Sequence, residues 1–214
     1  MRLTDGAALL TEGLVDPATT ALISMEMQRG VVGDLSKIDV LTKAVKEDEL
    51  IAHSAALMKV ARKAGIAIIH CNAQFRADRR GSGTNCPMLA AVTKDPAHIL
   101  EGTPPTEIVP ELGPEKGDLV FPRYHGVSPF TGTNLDITLR NLGVKTIVAT
   151  GVSINLGIFG TCVEAVNLGY RVVLPRDCVS GFPKDYAEQV LRYSLSQLCT
   201  VTTSAELMGV WEKT

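Results

Sequence analysis

The chain has 214 residues, 45% of them apolar, and its 21 basic and 23 acidic side chains leave a net charge of −2. This length buries a full core in a single domain spanning 1–214, and the near-neutral balance excludes an electrostatic case for nucleic acid or an anionic membrane surface. No run reaches the ~18 apolar residues of a bilayer span. The N-terminus lacks the apolar stretch of a signal peptide. Five cysteines (71, 86, 162, 178, 199) without CxxC pairs fit a reduced, cytoplasmic protein better than a disulfide framework or a zinc site.

In chain order, residues 1–18 read as an irregular N-terminal segment. TTALISMEM (19–27) reads as a buried strand carrying Glu26 near its end, followed by the glycine-punctuated loop QRGVVGD. Near-helical apolar spacing over 43–64 predicts one helix closed by Gly65, and IAIIHC (66–71) a second strand. The polar, basic NAQFRADRRGSGTNCP that follows is a long loop, read as a lid or binding segment. A short helix is expected around 87–93, a Pro- and Gly-rich loop over 94–117, and a third strand from Asp118 that Pro122 breaks. A helix over 134–142 leads to a β-branched strand at 146–150, a turn at Gly151-Val152-Ser153 and an apolar helix from about Ile154. Strand 171–175, an amphipathic helix at 183–198, strand 201–203 and a helix capped by Ser204 complete the pattern. The alternation predicts an α/β fold with helices on both faces of a mainly parallel, six-stranded sheet of Rossmann-like topology. Neither GxGxxG after the first strand nor GxxxxGK[ST] is present, so a nucleotide cofactor is not expected.

Glu26 is the first candidate for chemistry, since a carboxylate at the end of a buried strand must be partnered, solvated or protonated. In FPRYHGVSPFTGTNLD (121–136), Arg123 offers a fixed positive charge and His125 a group that titrates near neutral pH. Arg76, Arg79 and Arg80 on the glycine-hinged loop read first as a solvated face, with a carboxylate clamp as the alternative. No metal spacing is found around His70 and Asp78, and no cofactor is expected.

The turn GVSINLGIF and the segment 128–135 resemble the isochorismatase-like (cysteine) hydrolases, whose motifs run roughly G-V-x-T-N-x-C-V and S-A-F-x-G-T-x-L. Gly151, Val152, Asn155, Ser128, Phe130, Gly132, Thr133 and Leu135 match, over a resemblance covering about 19–203. Ile154 replaces the threonine, Gly157 stands at the nucleophilic cysteine, Glu26 replaces an aspartate followed by x-Gln, and Tyr124 falls where an ungapped count places the lysine. The resemblance implies a hydrolase of a small, carboxylated metabolite. Glu26 would be proton donor or base, Arg123 and His125 would assist, and Gln28, Tyr124, Phe130, Ser153, Asn155 and Gly157 would bind substrate. It also implies a cis Val152–Ser153 bond and a homodimer or homotetramer, for which Met208 and Trp211 are the sequence's own interface hint. Two alternatives stay open: a binding protein without turnover, marked by a bidentate Glu26–Arg123 pair, or an amidase with a displaced thiol at Cys71 or Cys178. Gly157 is expected to leave room for a larger ligand.

Overall fold

A computed structural model describes residues 13–213. The expected irregular lead-in therefore lies largely outside the described residues; its end, Pro17–Thr19, is a turn of 3-10 helix capped by Asp16. The chain then runs β1 (Thr20–Met25), α1 (Asp39–Glu47), α2 (Leu50–Lys63), β2 (Ala67–Ala73), α3 (Pro87–Val92), β3 (Leu119–Arg123) and α4 (Leu135–Asn141). It continues through β4 (Thr146–Val152), α5 (Gly157–Asn167), β5 (Arg171–Pro175), β6 (Val179–Ser180), α6 (Lys184–Tyr193), β7 (Thr200–Thr202) and α7 (Ser204–Trp211).

Every strand pairing is parallel, in the order β3-β2-β1-β4-β5-β7, with β6 paired to the end of β4. The sheet thus has seven strands rather than six. The additional one is two residues long, too short for its sequence to show any alternation. β1 and β4 are buried along their whole length, as expected of central parallel strands covered on both faces. β3 runs through Pro122 instead of stopping at it. It lies at the sheet edge, where a missing N–H leaves no ladder bond unmade.

Two apolar cores flank the sheet. Leu22, Ile68, Val148 and Val173 pack beneath Leu57 and Met58 of α2 and Leu207 and Trp211 of α7. Ala21, Ile23, Ile69 and Ile147 pack on the opposite side against α4, α5 and α6. Trp211 is 3% exposed and its indole N–H donates to the Val15 carbonyl at 2.9 Å. It is a core residue and leaves nothing for the subunit contact its sequence suggested; Met208 packs against the same core.

The single helix expected over 43–64 is two, because Glu49 takes a left-handed conformation (φ 50°) between α1 and α2. α5 begins at Gly157, later than expected, and α6 ends at Tyr193 before a 3-10 turn at Leu195–Gln197. The cap of α7 is Thr203, in a reciprocal capping box with Glu206; Ser204 instead bonds Asp177. Among the described residues no helix is long and apolar enough to cross a membrane.

Candidate active site

β1 continues on one side into β2 and β3, while β4 lies on its other side, so the order of the sheet reverses at β1/β4. Ligand crevices in open α/β sheets form at the carboxyl ends of strands around such a reversal. Met25, the last residue of β1, sits opposite Cys71 and Gly151. Gly151 has φ 108°, and a Cβ there would lie 2.2 Å from the Met25 carbonyl oxygen, so only glycine lets the two strands close at this point. Glu26 follows in a left-handed conformation (φ 54°), its amide donating to the Cys71 carbonyl at 2.9 Å.

A cavity of about 310 Å³ opens over this edge. Its polar lining comes from the ends of the strands: Glu26 after β1, Arg123 to Gly126 at the end of β3, and Ser153 after β4. The Val152–Ser153 peptide is cis. Glu26 and Arg123 form an ion pair through one carboxylate oxygen, Oε1, and one guanidinium nitrogen, Nη2. Arg123 Nε donates to the Gly126 carbonyl at 3.1 Å, and its Nη1 is buried without a partner. Among the described residues, Glu26 has no other side-chain hydrogen bond. The His125 Nδ1 accepts the Gly83 amide at 3.1 Å, which leaves Nε2 as the protonated nitrogen of the neutral ring. Tyr124 donates to Glu101 at 2.6 Å and accepts from Gln74 at 2.8 Å.

Five of the residues picked out from sequence, Glu26, Arg123, Tyr124, His125 and Ser153, line this one cavity; Gln28, Phe130, Asn155 and Gly157 do not. Gln28 is fully buried and bridges backbone, donating to the carbonyls of Ala73 and Thr106 and accepting the Ala73 amide. Phe130 stacks on Tyr170, ring centres 6.1 Å apart. Asn155 has a buried Oδ1 without a partner. The room expected beside Gly157 is absent: a Cβ there would lie 2.9 Å from the Val152 carbonyl oxygen and 3.1 Å from Met25 Cε. Met25 and the strand end already fill that space.

The remaining thiols offer no evident nucleophile at the cavity. Cys71 is fully buried, and burial pushes its pKa up to about 12 despite Arg123 nearby. Burial and the neighbouring Asp177 raise Cys178 as well. The arginine loop is engaged within itself: Arg76 pairs with Asp78, and Arg79 lies over the Phe75 ring and donates to the Asp95 carbonyl. None of its three arginines lines the cavity. Among the described residues no group of three or more His, Cys, Asp or Glu side chains is placed to hold a metal ion. His70 instead sits in a buried chain. It meets Ser24 Oγ at Nδ1 (2.8 Å) and Asp118 at Nε2 (3.3 Å), and Asp118 is bridged to Arg62 at 2.7 Å.

Sequence reasoning missed the apolar lining, in particular Phe75, Met88, Leu89, Val92, Leu156 and Phe182. It also missed His98, which lines the cavity beside Phe75. The signal was the length of the β2–β3 excursion, since extended connections of this kind usually carry function.

Known proteins resemble this chain in sequence and in fold. The sequence profile described as the Isochorismatase domain matches residues 20–206. The isochorismatase family protein YwoC of Bacillus subtilis is 30% identical over 198 residues, covering 91% of this chain and 95% of its own. Maleamate amidohydrolase of Pseudomonas putida is 28% identical, covering 74% and 72%. The crystal structure of an isochorismatase family protein from Desulfovibrio vulgaris superposes with a TM-score of 0.76 at 27% identity, over 91% of this chain and 98% of that one.

Proposed function

The chain belongs to the isochorismatase family, and from that premise we propose that it hydrolyses a small metabolite carrying a carboxyl or carboxamide group, by proton transfer through Glu26 and without a cysteine nucleophile. The named amidohydrolases among its relatives support the reaction class. The observation that carries the reading is the Glu26–Arg123 pair: a single contact at the cavity, with one carboxylate oxygen free of any protein partner among the described residues.

An ion-paired carboxylate enters the cycle as a base rather than as a proton donor. Glu26 takes a proton from water, the resulting hydroxide adds to the electrophilic carbon, and Glu26 returns the proton to the leaving group as its bond to carbon breaks. Arg123 holds Glu26 through Nη2, and its fixed charge at the cavity edge favours a substrate oxygen on which negative charge develops. His125 assists as a donor through Nε2, with Tyr124 and Ser153 among the groups that orient the substrate. The one-contact pair weighs against a dead binding protein, for which a closed bidentate pair was expected. Burial and the raised pKa of Cys71 weigh against a displaced thiol.

Glu26→Gln tests the reading directly. Its amide keeps the shape and loses the base, so turnover on a panel of amides and enol ethers should fall by roughly 10²–10⁴-fold while the melting temperature holds. Full activity in the variant, or inactivation of the wild type by a thiol-alkylating reagent, would refute it.

A further inference from the structure

The polar groups of the cavity belong almost wholly to the strand ends, and the rest of its lining is hydrocarbon. Val31, Ile38 and Leu41 contribute from the β1–α1 connection and α1, and Met88, Leu89 and Val92 from α3. Leu156 and Phe182, 45% and 37% exposed, continue that apolar surface to solvent. Among the described lining residues Arg123 is the single permanent cation, and it already faces Glu26. An anionic head group beside Glu26 would find no second permanent cation among the described residues of the lining. An uncharged carbonyl adds no charge that would compete with Glu26 for Arg123. His98 does not alter this balance: burial lowers its pKa, so it faces the cavity as a neutral ring.

We propose that the substrate is an uncharged carboxamide whose body is a branched-alkyl or alicyclic hydrocarbon. This assignment rests on the reading of the cavity as the active site. The amide oxygen meets Arg123, the scissile carbon lies beside Glu26, and the hydrocarbon fills the space between α1, α3 and Phe182. A cavity near 310 Å³ is at the small end of ligand sites, which suits one ring or a short branched chain. Hydroxyl or carboxylate groups on that body would lose water without gaining partners along the aliphatic wall.

Calorimetric titration of the full chain with cyclohexanecarboxamide, isovaleramide, maleamate and succinamate tests this. The two hydrocarbon amides should bind about tenfold tighter than the two anions, the scale of a few well-buried methylenes. Met88→Glu, at a half-buried wall position, should weaken the hydrocarbon amides by a similar factor with no change in melting temperature. Phe182→Ser, at the exposed mouth, should do the same if Met88→Glu fails to fold. Tighter binding of the anions, binding of none of the four, or indifference to both substitutions would overturn the proposal. Hydrocarbon preference with turnover surviving in Glu26→Gln would refute the catalytic reading alone. Preference for the anions with turnover lost in that variant would refute the substrate class alone.

Discussion

Gly157, set by sequence resemblance against the thiol of the family motif, is enclosed by the Val152 carbonyl and the Met25 side chain and does not line the cavity. A side chain there must displace backbone at the end of β4, whereas the thioether of Met25 yields more readily. Gly157→Cys should therefore destabilise the fold by ~1–3 kcal/mol, measured as a lower urea midpoint at unchanged slope. It should give no alkylation-sensitive turnover. The residues with chemical content, Glu26, Arg123 and His125, were legible because each is unusual for its place: a carboxylate ending an apolar strand, and two cationic or titratable groups ending another. Gln28 and Phe130 look the same in sequence as they would in a site. What separates them is the partner each meets, the backbone of Ala73 and Thr106 for one and the Tyr170 ring for the other.

At the scale of elements, the strands could be read because buried parallel strands are continuous apolar runs bounded by glycine and proline. The break between α1 and α2 could not, since the apolar spacing continues across Asp48 and Glu49 while the backbone does not. Glu49 is held left-handed, a conformation that costs a residue with a Cβ roughly 1–2 kcal/mol. Glu49→Gly should accordingly raise stability by about 1 kcal/mol after the extra freedom of the unfolded glycine is deducted. A lower urea midpoint in that variant would show that the Glu49 side chain contributes more than its backbone costs. The wall built by Phe75, α3 and His98 was hidden for a related reason: it comes from a segment with no period of 2 or 3.6 to reveal which side chains turn inward.

For the molecule as a whole, the pH dependence of stability should carry the mark of two interior histidines. Burial lowers the pKa of His70, against the pull of Asp118, and lowers that of His98. The unfolded chain, with histidines near 6.5, then binds protons first as pH falls. Stability is full above about 6.5 and declines as pH drops from there through the folded values. Urea midpoints at pH 7.5 and 5.5 should differ in that sense, and His98→Asn should flatten part of the difference; a higher midpoint at pH 5.5 would refute it. The groups proposed to react are anchored at the carboxyl ends of parallel strands, whereas the aliphatic wall hangs mostly on the β1–α1 and β2–β3 connections. Change to one set need not disturb the other. A lineage carrying this scaffold can exchange its diet by redrafting two connecting segments, while the apparatus at the strand ends is inherited intact.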